Sequence, residues 1–228
     1  MEIIYKDEHV VVCSKPSGIL SEGESASAMP TLLGKALGAL GEDNTRIFPV
    51  HRLDKETSGL MVFARSSKAA AALSESIADS RMKKVYLALL CGVPKEEKGR
   101  LEDLLFFDRQ RSKSFVVDRD RKGVKRAILE YETVCASDDY TLVRVFLLTG
   151  RTHQIRAQFA SRGLPLAGDR RYGAPKESAE GLALLSYKLS FPHPKTGALM
   201  EFELEEMGDA FHLFREKGGA KKFSTNIF

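Results

Sequence analysis

Short apolar runs set the pattern of this chain, and their spacing switches between the periods of a strand and of a helix. Ile3-Ile4-Tyr5 and Val10-Val11-Val12-Cys13 are β-branched runs joined by polar Lys6-Asp7-Glu8, which predicts a hairpin over 2–14. Lys15-Pro16-Ser17-Gly18 then turns the chain, and 21–30 reads as a mobile loop. Leu60 to Ala64 is a continuous apolar run of strand length, fed by the turn residues Thr57-Ser58-Gly59. Further strands are expected over 83–92, 127–136, 140–148, 182–191 and 199–204, with Ser137-Asp138-Asp139 closing a hairpin between two of them. Helical spacing marks 31–40 through Leu32, Leu33, Ala36, Leu37 and Leu40, despite Gly34 and Gly38. It also marks 68–80 through Ala69, Leu73 and Ile77, and a third helix carrying Ile155 and Phe159 that Gly163 and Pro165 stop. Strands interspersed with a few helices predict an α+β domain, a mainly antiparallel mixed sheet with flanking helices. The domain is expected over 1–210, with 211–228 a C-terminal tail that loosens from Lys217.

Composition narrows the class. At 228 residues and 43% hydrophobic, the chain can bury one large core or two small ones. No apolar run reaches the ~18 residues of a membrane helix, and the start lacks the basic-then-apolar plan of a signal peptide. Cys13, Cys91 and Cys135 are odd in number, far apart and set in apolar runs, which predicts buried free thiols in a reducing compartment. They have no metal-ligand spacing. The expectation is a cytoplasmic protein without membrane contact, metal or cofactor.

Charge adds a local signal. The formal net charge is only +4, yet Arg109, Arg111, Lys113, Arg119, Arg121, Lys122, Lys125 and Arg126 face just three acids between 108 and 126. The segment has no apolar period and reads as a long excursion. A charge run is usually a solvated face, but a loop of this length in a compact domain is more often functional or disordered.

The chemistry concentrates in His51-Arg52-Leu53-Asp54-Lys55-Glu56-Thr57-Ser58-Gly59-Leu60. Asp54 sits on a loop just ahead of a rigid strand, an arrangement that holds reactive groups still. By spacing alone the plainer reading stands: Asp54 caps a turn, with Arg52 as its surface ion partner. In the same way Tyr86 reads as a half-buried strand aromatic, Arg151 as a surface charge, and His153 as a structural histidine.

Resemblance changes the weighting. The 51–65 segment, ending in an apolar strand and Ala64-Arg65, closely resembles the signature of the RluA family of RNA pseudouridine synthases. With one element before it and three after, it makes five in family order: Lys15-Pro16-x-Gly18, then Lys84-x-Tyr86-x-Ala88, Thr149-Gly150-Arg151-x-His153-Gln154-Ile155-Arg156, and Gly168-Asp169-x-x-Tyr172-Gly173. The resemblance spans roughly 3–205 and implies the pseudouridine synthase fold with a central cleft. It implies a short form, without the small S4 domain that many members carry in front. It makes Asp54 catalytic, Arg151 its ionic partner, and Tyr86 the aromatic that packs on the base. Arg52 would fill the space the flipped base leaves, Leu184 would sandwich that base with Tyr86, and His51 and Thr57 would complete the substrate contacts. Arg109, Arg111, Lys113 and Arg121 are the candidates for the RNA backbone. One departure stands out: where the family has Leu-His-Ala, this chain has Leu184-Leu185-Ser186.

The implied reaction breaks the uridine C1′–N1 bond, rotates the base and rejoins it through C5. Nothing is oxidised and no group is lost, so the chemistry requires no redox cofactor, nucleotide or metal. It does require an ionised carboxylate, as nucleophile or counter-charge, and a base for the C5 proton. The partner would be RNA, either tRNA or large-subunit ribosomal RNA, and the enzyme a monomer. Two rival readings are a nucleoside or glycoside hydrolase using Asp54, and a non-catalytic RNA-binding module. A hydrolase normally needs two carboxylates, and only Glu56 lies near. A binding module leaves Asp54 and Arg151 without a purpose.

Overall fold

The computed structural model describes residues 1–42, 46–205 and 207–211. In chain order the elements are β1 (Glu2–Lys6), β2 (Val10–Lys15), α1 (Met29–Gly38), β3 (Phe48–Pro49), β4 (Ser58–Ala64), α2 (Ser67–Ala78) and β5 (Lys83–Cys91). They continue as β6 (Lys98–Asp108), β7 (Lys113–Val117), β8 (Val124–Ala136), β9 (Tyr140–Leu147), α3 (Gln154–Ala160), β10 (Leu184–Pro192) and β11 (Leu199–Glu203). The chain divides into two compact units, Met1–Lys84 with Leu185–Glu205, and Val85–Leu184 with residues 207–211.

In the first unit the expected β1–β2 hairpin forms, and β2 runs antiparallel to β4 from Val10↔Ala64 to Lys15↔Gly59. The other edge of β4 is shared. Strand β10 joins it in parallel at Leu185↔Ser58 and Ser186↔Gly59, and β3 joins antiparallel at Phe48↔Ala64 and Pro49↔Phe63. Strand β11 hairpins onto β10. The core gathers Val10, Val12, Leu60, Val62, Leu189 and Phe191 under Ala69 and Leu73 of α2. Ser66 caps that helix by accepting from the Ala69 N–H at 3.2 Å, satisfying one of its orphan donors. Helix α1 starts earlier than its spacing predicts, because Pro30 is pre-shaped for a first turn. Its buried residues are Met29, Leu33 and Leu37, whereas Leu40 lies past the helix end and is 60% exposed.

The second unit is an antiparallel sheet ordered β5-β9-β8-β6-β7. Helix α3 packs against it, with its Ala157 in a cluster with Leu105, Ala127 and Tyr172. The basic segment is not the excursion that the sequence suggests. A tight turn at 109–112 leads into β7, which pairs with β6 from Leu104↔Val117 to Asp108↔Lys113, and a second turn delivers β8. The apolar core of β7 is only Phe115-Val116-Val117, too short to show a period among so many charges.

Of the three cysteines Cys13 alone is buried; Cys91 and Cys135 are half-buried, and all three are free. Burial pushes the Cys13 thiol up to about 12 and that of Cys135 to about 11. The tail expectation falls on residues outside the described ones, apart from Phe211, which is buried. Among the described residues no helix is long and apolar enough to cross a membrane.

Candidate active site

Asp54 begins a turn closed by the Thr57 N–H, which donates to the Asp54 carbonyl at 3.1 Å. The chain around it is held from the side by residues 15–21. The Ser21 hydroxyl donates to the Leu53 carbonyl at 2.7 Å and accepts the Leu53 N–H at 2.9 Å. The Gly18 N–H donates to the Lys55 carbonyl at 2.8 Å, and the Ser17 hydroxyl to the Glu56 carbonyl at 2.8 Å. Gly18 adopts φ +84°, a conformation that a side chain would strain.

At the centre of this clamp is Lys15, with no solvent exposure. Its ammonium donates to the carbonyls of Pro16 at 3.0 Å, Ile19 at 2.8 Å and Lys55 at 3.0 Å. Burial lowers its pKa to about 8, and the negative charge of Asp54 opposes that fall. The sequence reading treats Lys15 only as part of a turn. A usable signal was there: on a strand, Lys15 shares a face with buried Cys13.

The motif also repairs a gap in the sheet. Between the stretches of β4 paired to β10 and to β3, the Val62 N–H donates to His51 Nε2 at 3.1 Å, and the Leu60 carbonyl accepts from the Ser186 hydroxyl at 3.0 Å. Ser186, at the position of the family's alanine, therefore gains a buried bond. Gly59 is at φ +111°, where a Cβ would lie 2.3 Å from the Ser186 carbonyl oxygen, so the two backbones could not approach with any other residue. Burial, helped by the charge of Lys84, holds the His51 pKa well below the usual histidine range, so the ring is neutral. With Nε2 accepting, its proton sits on Nδ1. Nδ1 of His51 and the hydroxyl of buried Thr57 have no hydrogen-bond partner among the described residues. Arg52 is exposed and bonds to Glu22 at 2.6 Å, so the ion partner expected in Asp54 is Glu22 instead.

In the second unit Tyr86 lies mid-strand in β5 opposite Val145 and is 5% exposed, more buried than its sequence reading suggests. Leu184 opens β10 and is buried. Arg151 is exposed at the strand-to-helix junction; its Nε donates to the Arg126 carbonyl at 3.0 Å and its N–H to Gln154 Oε1 at 3.0 Å.

Behind Arg151 the last two motifs interlock. Arg156 and Asp169, both buried, form a two-pronged ion pair at 2.7 and 2.8 Å. His153 sits in the left-handed region at φ 52° with Nδ1 3.1 Å from the Tyr172 hydroxyl, a structural role. That hydroxyl also accepts the Ser114 N–H at 2.8 Å, which anchors β7. Among the backbone candidates, Lys113 donates to the Arg171 carbonyl at 2.7 Å and lies over the Tyr172 ring, and Arg121 lies over Phe106. Arg111 is 3.7 Å from Asp108, and Arg109 is exposed without an ion pair among the described residues.

The first unit thus brings Asp54, Arg52, His51 and Thr57 onto one braced turn, and the second carries Tyr86, Arg151 and Leu184. Comparison with known proteins is consistent on all sides. Residues 9–161 match the family model described as RNA pseudouridylate synthase. A protein of Aquifex aeolicus named as an uncharacterized RNA pseudouridine synthase is 37% identical, over 90% of this chain and 69% of its own. A Bacillus subtilis protein named as the uncharacterized RNA pseudouridine synthase YlyB is 32% identical, over 96% of this chain and 74% of its own. Ribosomal large subunit pseudouridine synthase D of Neisseria meningitidis is 34% identical, over 93% and 60%. The solved structure of human RNA Pseudouridylate Synthase Domain Containing 4 has the same fold, with a TM-score of 0.76 at 21% identity over 94% of this chain and 93% of that one.

Proposed function

Since this chain belongs to the RluA branch of the RNA pseudouridylate synthases, isomerases that turn uridine into pseudouridine within RNA, we propose that Asp54 carries the reaction and that large-subunit ribosomal RNA is the substrate. The observation that supports Asp54 is the clamp: Leu53, Lys55 and Glu56 around it are all fixed by bonds from residues 15–21. A carboxylate whose backbone cannot drift meets the target sugar or base at reduced entropic cost.

The remaining roles follow the chemistry. Extruding a stacked uridine costs a few kcal/mol, and Arg52 offsets this by occupying the vacated space. Its release from Glu22 is cheap, because an exposed ion pair contributes only about 0–1 kcal/mol. Tyr86 and Leu184 hold the base, and the Tyr86 hydroxyl relays the C5 proton. Arg151, anchored through Nε, presents its terminal nitrogens as the cationic partner of the carboxylate. His51 Nδ1 and the Thr57 hydroxyl, buried and without hydrogen-bond partners among the described residues, gain a partner if the substrate's approach uncovers them. The preference for ribosomal RNA rests on the named activity of the Neisseria relative, and the enzyme works as a cytoplasmic monomer.

Mapping pseudouridines in ribosomal and transfer RNA from cells with and without the gene tests the substrate. A large-subunit site that disappears supports the proposal; loss confined to tRNA contradicts it. In vitro, free uracil as product would instead mean a hydrolase.

A further inference from the structure

Phe107 is anomalous for its position. It follows buried Leu105 by two residues on β6, so the two share a face, yet Phe107 is 36% exposed. Its ring meets His153 edge-on, centroids 6.1 Å apart and planes at 90°, which fixes its orientation. The ring borders an open groove of about 640 Å³ that Arg109, Lys125, Gly150 and Arg151 also line. Arg109 and Lys125 are exposed and have no ion pair among the described residues. Asp108, the one carboxylate on the rim among the described residues, is turned back to accept the N–H groups of Gln110 and Arg111 at 2.9 and 3.1 Å.

A fixed, half-exposed aromatic ring among unpaired cations matches a single-stranded nucleotide, whose base offers a π-face and whose phosphates offer negative charge. The groove volume falls within the range of small-ligand sites, about 300–1,000 Å³. We propose that this groove is a second nucleotide subsite, which stacks an unpaired base flanking the target uridine on Phe107 and grips its phosphates with Arg109 and Lys125. The inference rests on the function proposed above, because Arg151, which that reading assigns to the reaction, also lines the groove.

The test uses fluorescein-labelled pentauridylate, followed by anisotropy across a salt series, and a 5-iodouridine version for photo-crosslinking. Phe107→Leu keeps an apolar side chain but removes the stacking face, and should weaken binding on the order of tenfold. Arg109→Gln with Lys125→Gln alters only exposed side chains without ion partners, so the fold is not at risk. It should flatten the slope of log affinity against log salt by about 1.4, at about 0.7 per phosphate contact on a single strand. The crosslink should map to the peptide that carries Phe107. Wild-type behaviour in either variant, or a crosslink confined to other peptides, overturns the subsite. Pseudouridine formation by the wild type on total RNA separates the two ideas. If the wild type is active and the variants bind normally, only the subsite falls; if it forms none, the functional reading falls whatever the groove binds.

Discussion

The Lys15 ammonium, with no solvent exposure, donates to the carbonyl of Lys55, the residue after Asp54, at 3.0 Å. One buried cation thereby ties the end of β2 to the loop that carries the carboxylate.

This bond has a pH signature. The folded protein holds Lys15 at a pKa of about 8, below the ordinary 10.5. Between those values the unfolded chain binds a proton that the folded chain has lost, so Lys15 makes stability rise with pH through that window. Lys15→Met should lack this rise and, with its loop loosened, turn over more slowly. Denaturant unfolding at pH 7 and pH 10 checks this; an identical pH dependence in both proteins contradicts it.

The Arg156–Asp169 pair should matter more for stability. Removing one partner of a buried pair strands the other charge, at about 3–5 kcal/mol. Asp169→Asn should therefore lower the urea midpoint sharply, and a loss under about 1 kcal/mol would contradict the role given to the pair.

Ser186→Ala should cost about 1–3 kcal/mol, because it removes the hydroxyl that donates to the Leu60 carbonyl on the edge of β4 between its β10 and β3 pairings. Unchanged stability would mean that the gap is satisfied in another way.

Long apolar runs were legible in the sequence. The β1–β2 hairpin, β4, α2, β5, β9 and α3 all lie close to where period and turn residues put them. Strand β7 was hidden because its apolar core spans only three residues inside a charged segment. Burial of charge was hidden for a different reason. Lys15, Arg156 and Asp169 look like surface residues by type, and only the tertiary structure supplies the carbonyls and the counter-charge that let them be buried. The motif resemblance named Asp54 but said nothing of how its loop is held.

Tyr86→Phe keeps the ring and should bind RNA within about twofold of wild type, while turnover falls by 10² or more, the scale of a lost proton relay. Full turnover would leave Tyr86 a stacking role only.

The most direct test is Asp54→Asn on RNA carrying tritium at uridine C5. Forming pseudouridine expels that hydrogen, so the wild type should release tritium without releasing uracil. The variant should release none above background while binding the RNA as tightly as wild type. Tritium release within tenfold of the wild-type rate would contradict the catalytic role of Asp54.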